Sequence, residues 1–149
     1  MKRLLFAALL GTAALVSFSS CKKEYVTNYL PGVSYVTAVP SNGWVRDSNN
    51  PYNFRHELKF DELDAKYFDY GHVGVAITFN YDPSKGHATS YTNIPAEYIG
   101  NYSYTIDYEV GFVIIYASYV GTPPVTGAPL PPPNMYAKIT LTDADNGGN

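Results

Sequence analysis

Cysteine is almost missing from this chain: one copy, Cys21, in 149 residues. That excludes an intrachain disulfide framework and any Cys-based zinc cluster. Charge is scarce as well. Asp, Glu, Lys and Arg make up 15% of the residues, against about 25% in an ordinary globular domain. The net charge is −3, so no basic field exists to hold nucleic acid. Long apolar runs are absent beyond Val16, which leaves no second segment of the ~20 residues that a membrane helix needs. With 12 Gly and 11 Pro spread through the chain, a coiled coil or helical bundle is disfavoured. What is abundant is tyrosine, at 15 copies.

The first twenty residues read as an address. Lys2 and Arg3 are followed by an apolar stretch from Leu4 to Val16, broken only by Gly11 and Thr12, and then by Ser17, Ser19 and Ser20. A basic start, a short apolar run and small residues before a break mark a secretory signal. Phe18-Ser19-Ser20-Cys21 resembles the bacterial lipobox, with Phe18 where Leu is usual. The resemblance implies acylation of Cys21, cleavage before it, and anchoring by lipid chains that each gain ~0.8 kcal/mol per buried CH₂. A plain signal peptide is the alternative. Lys22-Lys23-Glu24 is similar to the charged tether of Bacteroidota-type lipoproteins, which implies the outer membrane, facing the periplasm or the surface. Residues 1–20 are thus expected as signal, 21–32 as lipidated Cys and tether, 33–142 as one domain, and 143–149 as a fraying tail.

The domain is dominated by alternation of period two, the pattern of a strand with one wet face. Residues 54–60 place Phe54, His56, Leu58 and Phe60 on one side, and residues 73–81 do so with Val73, Val75, Ile77, Phe79 and Tyr81. Residues 102–110 alternate through Tyr102, Tyr104, Ile106, Tyr108 and Val110; residues 135–142 through Met135, Ala137, Ile139 and Leu141. Residues 112–120 are apolar on both faces and read as a central strand. Residues 33–39 and 89–92 are further strand candidates. Gly111 marks a hairpin turn or a bulge. Asp61 is positioned to cap one short helical turn that Gly71 ends. Residues 82–86 form a turn, and the Pro-rich residues 121–134 form a stiff crossover between sheets or a ligand for a Pro-binding partner. About seven strands with one short helical turn predict an all-β fold, an antiparallel β-sandwich, with a small closed barrel as the alternative.

Residues 62–78 with the strand pair of residues 102–115 resemble small Bacteroidota lipoproteins of uncharacterised function, through Leu63, Asp69, Gly71, Val73 and Val75. That likeness implies a lipid-anchored all-β domain and assigns no ligand residue.

Chemical motifs are few. His56-Glu57 opens like a zinc-protease motif, but position 60 is Phe60, so the second His is missing. Residues 143–147 open like a calcium loop, and the chain ends before the required acid. Asp61, Glu62, Asp64 and Asp69 read as a solvated acidic face; a small hydrolase using them as paired carboxylates is the least favoured reading. No catalytic residue, metal or cofactor is expected. The tyrosine excess allows a carbohydrate-binding face of stacking rings, with Trp44, Tyr52, Tyr91, Tyr98 and Tyr119 as its candidates. The leading expectation is a non-enzymatic, lipid-anchored envelope protein with a structural or interaction role. Its partners would be the membrane through the lipid and an envelope protein, or a glycan in the rival reading.

Overall fold

Each alternating segment needs a place to bury its apolar face, and two facing sheets provide it. The computed structural model describes residues 32–143; Cys21, the signal and the expected tether up to residue 31 lie outside them, as does the expected tail from 144 onward, whereas Asp143 belongs to the last strand. The strands in chain order are β1 (Val33–Val39), β2 (Val45–Arg46), β3 (Asn53–Lys59), β4 (Gly71–Thr78), β5 (Tyr81–Asp82) and β6 (His87–Ala88). They continue with β7 (Thr92–Ile94), β8 (Ala96–Ile99), β9 (Tyr102–Glu109), β10 (Phe112–Tyr119) and β11 (Met135–Asp143). One helix, α1 (Ala65–Tyr70), precedes β4.

The first sheet runs β1-β11-β4-β7 and the second β2-β3-β10-β9-β8, with β5-β6 a separate ribbon. All pairings are antiparallel. Both sheets are open at their edges, so the architecture is the sandwich and not the barrel. Between them lie Val73, Val75, Ile77, Met135, Ala137, Ile139 and Leu141 from the first sheet, against Phe54, Leu58, Tyr102, Tyr104, Val113, Ile115 and Ala117 from the second. β10 sits at the centre of its sheet, as its two apolar faces require. The Pro-rich residues 121–134 carry the chain from β10 across to β11, from one sheet to the other.

Several expectations need correction. Four strands are additional to the seven, namely β2, β5, β6 and β8, and all are four residues or shorter. β7 begins at Thr92, so it takes only the last residue of the expected segment 89–92. β4 stops at Thr78, and Phe79 is exposed. The Asp82 turn explains why: its carbonyl accepts from the Lys85 and Gly86 amides and its carboxylate from the Ser84 amide, drawing the chain into the β5-β6 ribbon. The inner face of β9 also ends early, because Tyr108 and Val110 project into solvent.

The helix cap is Asp64, not Asp61. The Leu63 amide donates to the Phe60 carbonyl, which uses residues 60–63 as a turn. Asp64 is then extended, and its carboxylate accepts from the Tyr67 amide at 3.0 Å. Gly71 ends the helix as expected. Any Cβ there would lie 2.6 Å from the Tyr67 carbonyl oxygen, so close approach, not backbone twist, demands glycine. Gly111 closes a two-residue hairpin at φ 82°, a conformation that costs a side-chain-bearing residue.

Candidate functional site

The candidate site grows out of a file of aromatic rings on the second sheet. It starts in the core at His56, on β3. Trp44 covers His56, with ring centroids 5.5 Å apart, and Tyr104 follows at 6.4 Å from Trp44. Tyr102 stands 6.2 Å from Tyr104, because the two are alternate residues of β9 on one face. Tyr119 meets Tyr102 edge-on at 5.4 Å, and Tyr52 reaches Tyr119 at 6.2 Å. The Tyr102–Tyr119 step follows from register, since these residues are cross-strand partners in the β9–β10 pair. Such contacts contribute ~0.5–1.5 kcal/mol each beyond simple burial.

At its outer end the file meets the Pro-rich crossover. The Tyr102 hydroxyl donates to the Leu130 carbonyl and the Tyr119 hydroxyl to the Thr122 carbonyl. Arg46 clamps the same segment: its guanidinium donates to the carbonyls of Pro129, at 2.7 Å, and Pro51, while lying 4.5 Å over the Phe54 ring. Proline offers no amide but keeps its carbonyl, so donors from Tyr and Arg are the natural partners for this run. Beneath it opens a cleft of about 470 Å³ whose walls include Asn101, Tyr102, Tyr119, Pro124 and Leu130. Leu130 is well exposed at its rim.

The buried end is short of polar partners. The Trp44 indole Nε1, the His56 Nδ1 and the Tyr104 hydroxyl have none among the described residues. Burial pulls the His56 pKa down from its ordinary value, against a smaller upward pull from the Gly43 backbone. Burial pushes the Tyr104 phenol up, helped by its neighbour Tyr102. Tyr102 is itself raised by burial and by Tyr119, with Arg46 pulling the other way.

The five sequence candidates do not share one face. Trp44 is only 8% exposed; it is a core residue rather than a loop platform, because the 3₁₀ turn Ser41–Gly43 folds it over His56. Tyr52 and Tyr119 do come together beside the cleft. Tyr91 pairs with the first sheet, where the Lys138 ammonium sits 4.4 Å over its ring. Tyr98 lies on β8, exposed, at φ 60° in an irregular pairing with β9. Arg46, Asn101 and Tyr102 were not among the candidates. Tyr102 carries only the signal of a strand face, and Arg46 that of a lone cation in a polar loop.

Other motifs have structural employment. Asp61 pairs with Lys59 at 3.1 Å, exposed to solvent, and Asp64 is the helix cap. His72 and His87 are exposed. Among the described residues no three His, Cys, Asp or Glu side chains converge to hold a metal. No helix among them is long and apolar enough to cross a membrane. Compared with protein-family models, curated proteins and solved structures, the chain matches none.

Proposed function

We propose that this chain is a lipid-anchored envelope protein whose β-sandwich serves as a non-enzymatic interaction domain. The observation that carries the reading is the placement of the lone cysteine. Cys21 closes a leader of basic, apolar and small residues, and the folded body starts at Val33. An odd thiol in an exported chain needs an explanation, and acylation supplies one. A short tether then leads from the anchor into β1. The outer membrane, with the domain facing the periplasm or the surface, is the location this reading assigns. Intact-mass measurement of the membrane-extracted protein is the test. A mass lacking residues 1–20 and carrying acyl chains is expected, and Cys21→Ser should move the protein out of the membrane fraction. A free thiol, or a retained leader, defeats the reading.

A glycan-binding role is the second reading, favoured by the cleft where Tyr102, Tyr119 and Asn101 meet. Rings and an amide edge suit a sugar, which offers both apolar faces and hydroxyls. Trp44 has no part in it, and Tyr52 flanks the cleft through Tyr119. If the reading holds, polysaccharide in a native gel slows the wild-type protein, while Tyr119→Ala runs unretarded with an unchanged circular dichroism spectrum. Equal mobility of the two would discard it.

A further inference from the structure

The two sheets have four edges among the described residues, and three of them are blunted. β2 is two residues long and carries Arg46. β7 is three residues long and runs straight into Pro95. β8 also follows Pro95, contains Glu97, and is irregular at Tyr98. Shortness, charge, proline and bulges are the devices by which sheets avoid pairing with other chains. β1 has none of them. It is seven residues, Val-Ser-Tyr-Val-Thr-Ala-Val, regular along its whole pairing with β11 and without charge, Pro or Gly.

Its side chains are also incompletely covered. Val33, Tyr35 and Thr37 point between the sheets yet are only half-buried, and Val36 on the outer face is exposed. The opposite flank of the sandwich is closed by the Ile94–Pro95–Ala96 link, which joins β7 of one sheet to β8 of the other. On the β1 flank the chain likewise crosses between sheets, through the Ser41–Gly43 turn and the buried Trp44, but the facing edge strand there is the two-residue β2.

We propose that the β1 edge joins two copies of this chain, β1 to β1 and antiparallel, into one continuous eight-stranded sheet. A twofold axis through Val36 pairs all seven residues. It sets Val33 against Val39 of the other copy, Ser34 against Ala38, Tyr35 against Thr37, and Val36 against itself. Every pair is uncharged, so nothing opposes the match, and a surface that complements itself closes as a dimer. A second copy is favoured over an unrelated strand by the tether. The inference rests on the anchored reading at this point. The paired strands span about 23 Å, whereas residues 22–32 reach roughly 40 Å when extended. Both anchors therefore enter one bilayer, and confinement there raises the effective concentration.

The test uses the full chain with its own leader, in membranes. Directly opposed residues of an antiparallel pair have Cβ atoms ~4.5–5.5 Å apart, close to disulfide spacing. Val36→Cys should therefore give a disulfide-linked dimer under mild oxidation. Thr105→Cys, exposed on the other sheet, should stay unlinked. Light scattering of the detergent-extracted wild type should give a dimer. Val36→Lys should give a monomer with an unchanged circular dichroism spectrum, because like charges then face each other across the axis while each fold stays intact. The proposal is overturned by an unlinked Val36→Cys, by equal linking at Thr105→Cys, or by a Val36→Lys dimer. Intact mass on the same samples reads the anchor separately: linking without acyl chains keeps the dimer and discards the anchor.

Discussion

The two sheets meet in one core but build it from different chemistry. The first contributes aliphatic side chains: Val73, Val75, Ile77, Met135, Ala137, Ile139 and Leu141. The second sets Phe54, Tyr102, Tyr104 and Trp44, with His56 among them, beside Leu58, Val113, Ile115 and Ala117. In the aliphatic half the buried polar side chain is Thr78, and its hydroxyl is satisfied, accepting from the Asn80 amide at 3.1 Å. The aromatic half buries three side-chain polar atoms that find no partner among the described residues, on Trp44, His56 and Tyr104. Burying a polar group unpaired costs ~1–3 kcal/mol on mutational scales. The second sheet therefore accepts a stability cost that the first does not. It gains a continuous file of rings leading from core to surface cleft.

The comparison breaks most severely in the aliphatic half. Ile139 is fully buried in the middle of β11, between β1 and β4. Ile139→Ala should lower the unfolding free energy by about 3 kcal/mol, combining lost transfer energy with the cavity left behind. Urea titration would show this as a lower midpoint with an unchanged slope. A loss under about 1 kcal/mol would mean that the first sheet repacks freely, contrary to the close packing of aliphatic cores.

The aromatic half should be the pH-sensitive one. Burial lowers the pKa of His56 in the folded chain, while the unfolded chain titrates near 6.5. Between the two values the unfolded state binds the extra proton. Stability from this residue is therefore full above about pH 6.5, falls as pH drops below it, and levels off once folded His56 is protonated. One proton limits the slope to about 1.4 kcal/mol per pH unit. Chemical denaturation from pH 8 down to 5 checks the sign, and His56→Phe should remove this component. If the variant keeps the full slope, other groups set the pH response.

The same contrast explains what could be read in advance. Strands β3, β4, β9 and β11 were legible because apolar and polar residues alternate over seven or more positions, and each apolar set needs one buried face; β10 was legible because it is apolar on both faces. β2 and β8 are too short to alternate, and they exist only because β3 and β9 lie beside them. Trp44 misled for a physical reason. Its neighbours Ser41, Asn42 and Gly43 read as loop, and they do form a turn. Its burial depends on His56 and Tyr104, which are distant in sequence. Asp61 and Asp64 are equally good caps by type, and only the turn at Leu63 selects the second. The Tyr52–Tyr119 pair rests on a non-local hydrogen bond, the Tyr119 amide donating to the Tyr52 carbonyl at 2.8 Å. No local pattern announces it.

The finest probe of the aromatic half is a single hydroxyl removed at two places. Tyr102 and Tyr104 are neighbours on one face of β9, both buried, with rings 6.2 Å apart. The Tyr102 hydroxyl donates to the Leu130 carbonyl, whereas that of Tyr104 is unpartnered. Tyr102→Phe removes a hydrogen bond and loosens the crossover, so it should cost ~0.5–1.5 kcal/mol. Tyr104→Phe removes an unsatisfied group while keeping the ring, so it should be neutral or stabilising by up to about 1 kcal/mol. Thermal melts of the two variants should therefore shift in different directions, or at least by clearly different amounts. Equal losses would show that the Tyr104 hydroxyl has a partner, as the buried Thr78 hydroxyl of the first sheet does.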